Sequence, residues 1–195
     1  FFDNVAAQGV TFDIIGLSFY PWWHGTLADL ELNLDDLAVR YGKEILVVET
    51  AYPWTLDWFD ETHNLVGLPT QLHAGFPASV DGQRRFLCNM MNVIPQEKGI
   101  GLMYWAPDWI STPSMGSAWE NVSLFSFAGD ALDSMDVFRK RFSGFDLRDF
   151  AAFQSCFTGS GGSSAETKCL RFDFDCDDDL DLGDYAEVES ALTGP

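Results

Sequence analysis

Cations are scarce in this sequence: 11 Lys and Arg stand against 30 Asp and Glu in 195 residues, a formal net charge of −19. That deficit excludes nucleic acid and anionic membrane as partners, because an acidic surface repels phosphate. No apolar run is long enough to span a bilayer. Neither an initiator Met nor a signal-peptide pattern opens the chain, and Phe1 leads straight into folded-looking sequence, so the start reads as cut. Cysteine is sparse as well. Cys88, Cys156, Cys169 and Cys176 are too few for a disulfide scaffold and lack paired zinc-ligand spacing, so any bridge is expected to be a local staple. Cys156 and Cys169 flank a Ser/Gly-rich loop and form the candidate pair, whereas Cys88, on the apolar face of a predicted helix, reads as a buried free thiol.

Apolar and aromatic residues, by contrast, are plentiful. Aromatics make up 15% of the chain and include seven Trp. Rings in such number serve a core or grip neutral sugars, and composition leaves both readings open.

Three apolar runs, Ile14 to Tyr20, Ile45 to Thr50 and Ile100 to Trp105, alternate with helical patterns, the signal of βαβ units and a parallel sheet covered on both faces. Leu27, Leu30, Leu34, Leu37, Ala38 and Tyr41 repeat at helical spacing and Gly42 stops them; Phe86, Leu87, Met90, Met91 and Ile94 do the same ahead of Pro95. Each strand runs into a long loop rich in Trp, Pro, Tyr and acid, while the connections entering the strands are short. Functional residues at carboxyl strand ends suit a (β/α)₈ barrel. Three strands cannot close one, so the choice lies between an open α/β sheet and a barrel whose first strands are absent; the abrupt start favours the second.

The βα rhythm stops near Phe142, and a repeat follows. Residues 146–159 align with 181–194, and half of the fourteen positions are identical. Two loop-and-helix copies joined by the 159–165 linker predict a small all-α module over 143–195, separate from the 1–142 α/β part.

Glu49 ends the strand in Lys43-Glu-Ile-Leu-Val-Val-Glu-Thr-Ala-Tyr-Pro-Trp54. A strand-end carboxylate is either an ion-pair partner or a catalytic group. Tyr20, at the end of the preceding run, is placed to donate its hydroxyl to Glu49, and Trp105, ending the third, to form a flat floor for a sugar ring.

At these residues a resemblance becomes specific. Asp13-Ile-Ile-Gly-Leu-Ser-Phe-Tyr-Pro-Trp-Trp-His-Gly-Thr-Leu27, Val47-Val-Glu-Thr-Ala-Tyr-Pro-Trp-Thr55 and Gly116-Ser-Ala-Trp-Glu-Asn121 make residues 1–142 resemble the second half of glycoside hydrolase family 53, the arabinogalactan endo-β-1,4-galactanases. The resemblance implies about strands six to eight of a (β/α)₈ barrel and retaining hydrolysis, with Glu49 as nucleophile. It also implies an acid/base Glu in an Asn-Glu pair on the fourth strand. No Asn-Glu dipeptide occurs here, so that residue is expected outside the chain and the fragment alone is expected to be inactive. By the same resemblance Trp22, His24 and Trp54 line the groove, although His24 serves equally as a structural hydrogen-bond bridge. Many members have Glu where this chain has Ala106. The loop 57–64 offers Asp60, His63 and Asn64 as a candidate second calcium site, a solvated loop being the alternative.

Asp173-Phe-Asp-Cys-Asp-Asp-Asp-Leu-Asp-Leu-Gly-Asp184 carries acid at loop positions one, three, five, nine and twelve, a spacing that wraps oxygens around Ca²⁺. Asp173, Asp175, Asp177, Asp179 and Asp184 are the candidate structural-calcium ligands. The loop resembles a dockerin repeat, which implies a cohesin-like or cell-surface partner; a bare calcium-stabilised appendage is the alternative. Asp178 stands where such loops have Gly, which requires a left-handed backbone. The first copy has Lys140, Phe142 and Gly144 at ligand positions and is expected to have lost its ion. Together these readings describe a secreted enzyme acting on β-1,4-galactan; the rival is a non-catalytic, calcium-dependent docking protein.

Overall fold

The computed structural model describes residues 1–95, 97–139, 147–162, 169 and 172–193. The expectations for Lys140, Phe142, Gly144 and the boundary near residue 142 lie outside the described residues. Helices α1 (Phe2–Ala7), α2 (Pro21–His24), α3 (Leu27–Tyr41), α4 (Val80–Asn92), α5 (Leu147–Cys156) and α6 (Leu182–Thr193) accompany strands β1 (Ile14–Ser18), β2 (Glu44–Thr50) and β3 (Gly99–Tyr104). The strands form one parallel sheet in the order β1-β2-β3, with Ile15 opposite Ile45 and Val47 opposite Leu102.

Helix α3 is fixed at both ends by its own sequence. Thr26 Oγ1 accepts from Asp29 N while Asp29 Oδ2 accepts from Thr26 N, a reciprocal cap that satisfies two of the helix's orphan donors. Gly42 closes the other end in the left-handed conformation, φ 61°. Between them Leu27, Leu30, Leu34 and Leu37 are buried against the sheet, each worth about 1.5–3 kcal/mol of transfer free energy.

Helix α4 begins at Ser79, whose Oγ accepts from Gly82 N at 2.9 Å. Gly82 has no room for a side chain: a Cβ there would lie 1.9 Å from Pro77 O. Phe86, Leu87, Met90 and Met91 join the main core with Ile15, Ile45 and Val47. Gln83 is buried too, its Nε2 donating to Tyr52 O and Ser123 O, and so are Arg84 and Cys88, because a second layer covers this helix.

That layer is the C-terminal acidic loop. Cys88 is not a free thiol: it is joined to Cys176, 88 residues away, with Cα atoms 6.1 Å apart. The sequence holds no local signal for this bridge, which exists because the loop folds back over α4. Cys156 is joined to Cys169. Phe153, Phe172, Leu180 and Val188 form a second small core, with Phe150, Phe174 and Tyr185 packed on it. Thr158 N and Gly159 N both donate to Leu180 O, and Leu180 N donates to Thr158 Oγ1, so the two copies of the repeat are bonded to each other. No helix among the described residues is long and apolar enough to cross a membrane.

Candidate active site

The ladder between β2 and β3 shifts register between Val47 and Thr50. Thr50 turns toward α4, its hydroxyl 3.1 Å from Met90 Sδ. Neighbours on a strand face opposite ways, which puts Glu49 on the side away from the helix. There Tyr20 Oη donates to Glu49 Oε2 at 3.0 Å, and Phe19 N donates to Glu49 O at 2.8 Å. The carboxylate and the phenol are thus held by the ends of two adjacent strands. Burial first, and then the bond to Glu49, push the Tyr20 phenol well above its ordinary pKa.

Pro21 stops β1 and starts α2, whose single turn returns His24 to Tyr20: His24 Nδ1 accepts from Tyr20 N at 2.9 Å. His24 thus makes a structural bridge, and its ring stays exposed. Aromatic rings then run outward from Tyr20. Trp22 lies 5.2 Å away and Trp119 5.8 Å away, centroid to centroid; Trp109 follows Trp119 at 6.5 Å and Trp105 follows Trp109 at 6.1 Å. Trp105 is 39% and Trp109 50% exposed, so both have surface to offer a ligand. Trp22 Nε1 is buried with no hydrogen-bond partner among the described residues. Trp54 belongs to another group, packed on Phe127 at 4.7 Å.

The loops after β2 and β3 are sewn together by residues of the Gly116–Asn121 motif and by Tyr104. Asn121 Nδ2 donates to Thr55 O and Val66 O, Asn121 O accepts from Trp54 N, and the buried Glu120 accepts from Phe59 N through Oε1. Ser111 Oγ lies in hydrogen-bond range of both Glu120 and Asp60; with one proton it serves one of them at a time. Ser111 foremost, and then Thr62 N, hold the Asp60 carboxyl down to about 2. Tyr104 Oη sits within reach of Tyr52 N, Tyr52 O, Val122 O and Gln83 Nε2.

Of the loop 57–64 set, Asp60 is bonded to Ser111, Thr62 and Ser117, and His63 lies edge-on to Trp58. Asn64 Nδ2 donates to Asp57 O, while its Oδ1 is buried without a partner among the described residues. In the acidic loop, carboxylate oxygens of Asp173, Asp175 and Asp177 lie within 4.8 Å of one another, as do those of Asp179, Asp181 and Asp184. Asp181 joins the five residues singled out from sequence. Asp179 Oδ1 is buried with no partner among the described residues. Burial, and then the neighbouring Asp184 and Asp177, push Asp175 up to about 6. Asp178 takes the left-handed backbone expected of it, φ 72°, and Cys176 does so too, φ 68°.

Residues missed in the sequence are Trp119 and Glu120, inside a motif noticed only as a whole, and Tyr104, which looks like any strand aromatic. His73, which accepts from Leu27 N through Nε2 at 3.0 Å, had no signal at all.

A parallel α/β unit with carboxylate, phenol and indoles gathered at the carboxyl end of its sheet defines the class: an α/β protein with a strand-end site. Sequence comparison narrows it further, since the profile of glycosyl hydrolase family 53 matches residues 1–138. The chain belongs to that family. It is 46% identical over 147 residues to the "Uncharacterized protein in bgaB 5'region" of Niallia circulans, covering 71% of this chain and 40% of that one. It is 39% identical over 131 residues to the arabinogalactan endo-β-1,4-galactanase of Cellvibrio japonicus, covering 64% and 35%. Among solved structures, the Ignisphaera aggregans GH53 catalytic domain superposes with a TM-score of 0.67 at 40% identity, covering 71% and 41%. The chain therefore spans about 40% of the length of the relatives it matches.

Proposed function

We propose that the protein is a retaining endo-β-1,4-galactanase acting on the galactan of type I arabinogalactan and pectin side chains, with Glu49 as nucleophile. The observation that carries this reading is the Tyr20–Glu49 hydrogen bond at the ends of adjacent parallel strands, inside the stretch that matches the family. The three βα units are then about strands six to eight of a (β/α)₈ barrel. The acid/base Glu lies on a strand outside these 195 residues, about 5 Å from Glu49 in the assembled site. Glu49 attacks the anomeric carbon as the acid/base carboxyl protonates the departing glycosidic oxygen; water then displaces Glu49 with the roles reversed. Tyr20 keeps the attacking carboxylate oriented, and Trp22, Trp105, Trp109 and Trp119 offer ring faces to sugars. Reducing-sugar release from potato galactan by the full-length enzyme and its Glu49→Gln variant tests the reading. Loss by several orders of magnitude in a folded variant is expected; full activity would overturn it and favour a docking protein.

Residues 143–195 are proposed as a dockerin-like module. Asp173, Asp175, Asp177, Asp179, Asp181 and Asp184 would hold Ca²⁺, whose charge relieves the repulsion among crowded carboxylates. The orphaned, buried Asp179 Oδ1 supports that fit. A cohesin-like or cell-surface partner follows from the same likeness, and two disulfides suit an extracellular location.

A further inference from the structure

The face of α4 turned away from the sheet is basic and holds a cysteine. Arg84, Arg85, Cys88 and Asn92 follow one another at spacings that keep them on one side of a helix. All four meet the acidic loop. Arg84 Nη1 lies 3.1 Å from Asp173 Oδ2, Arg84 Nη2 pairs with Asp178 Oδ1, and Arg85 Nε lies 3.3 Å from Asp178 Oδ2. Cys88 is bonded to Cys176, and Asn92 Nδ2 lies 3.5 Å from Cys176 Sγ. Asp81, one turn before Arg84, is 3.1 Å from its Nη2 and orients the guanidinium from within the helix.

The chemistry is complementary. Seven aspartates crowd residues 173–184, and two of the chain's 11 cations stand side by side beneath them. Arg84 is 3% exposed and Asp173 wholly buried, and a pair so dry persists only where both partners are held in place.

We propose that this face of α4 is an intramolecular docking surface for the acidic loop. It clamps the C-terminal module to the flank of the α/β part through one disulfide and two arginines, so the module does not trail on a tether. Any partner held by the module then also holds the strand-end site in one attitude. This goes beyond the galactanase reading and does not depend on it.

The first test is a peptide map of the full-length protein, alkylated without reduction and cut with trypsin. The peptide 86–98 and the one that begins at Phe172 are expected as one species that separates on reduction. An alkylated Cys88, or Cys88 bonded to Cys156 or Cys169, overturns the clamp. The second is the rate at which dithiothreitol opens the Cys88–Cys176 bond. If the arginines dock the loop, Asp178→Asn is expected to speed opening up to about five-fold, since a partly exposed pair supplies that much restraint. An unchanged rate overturns the ionic part of the proposal.

Discussion

At the residue scale, Tyr20 and Glu49 are joined by a hydrogen bond. Tyr20→Phe keeps the ring packed on Trp22 but removes the hydroxyl bonded to Glu49, and is expected to lower kcat about 100-fold with little change in KM. Steady-state kinetics on galactan with the full-length enzyme check it. The tyrosines also set an alkaline limit. Burial pushes Tyr52 up to about 12 from 10, and raises Tyr104 further. A phenol whose pKa rises on folding loses its proton first in the unfolded chain. Its contribution to stability is therefore complete below about pH 10 and is lost as pH rises through about 12. Phenolate absorbance from the buried tyrosines should appear together with loss of circular dichroism; earlier, reversible titration of all five would contradict this. Glu49 was legible in sequence because an acid at the end of an apolar strand is conspicuous. Glu120 was not, because its reason for being buried, the Phe59 amide and the Ser111 hydroxyl, comes from loops far apart in the chain.

At the scale of elements, α3 could be read almost completely, its Leu spacing and terminal Gly42 fixing face and end. Helix α4 was legible on its sheet side only. Even there Gln83 was not: its Nε2 donates to Tyr52 O at 2.7 Å and Ser123 O at 3.0 Å, while Ser134 Oγ donates to its Oε1. Periodicity marks such a residue as polar and exposed, and only tertiary contacts reveal it as fully buried. Gln83→Ala removes partners of Tyr52 O, Ser123 O, Tyr104 Oη and Ser134 Oγ and should cost about 3 kcal/mol, read as a lowered midpoint in chemical denaturation of the full-length protein. The acidic loop was not legible as a surface for α4, because Arg84 and Asp173 are 89 residues apart.

For the molecule as a whole, Ile14, Ile100 and Met103 sit on strands yet are 46%, 43% and 55% exposed, and among the described residues β1 and β3 each have one unpaired side. Strands with bare edges and apolar faces seek partners. Residues 1–142 expressed alone are accordingly expected to aggregate, and a sharp, cooperative thermal transition for that piece would contradict this. Chelation of the full-length protein should lower its melting temperature, and added Ca²⁺ should restore it; a melting temperature indifferent to calcium would argue against the metal in the acidic loop. The internal repeat predicts a small second module, and Phe153, Phe172, Leu180 and Val188 form a small core of their own. How the parts meet was not legible, since the Cys88–Cys176 bond leaves no trace in either local pattern. The stitching of the two rim loops by Asn121 and Glu120 bears on recombination among relatives. A crossover placed between residues 66 and 105 would pair one parent's rim with the other's fasteners, so chimaeras should survive best when both loops are inherited together.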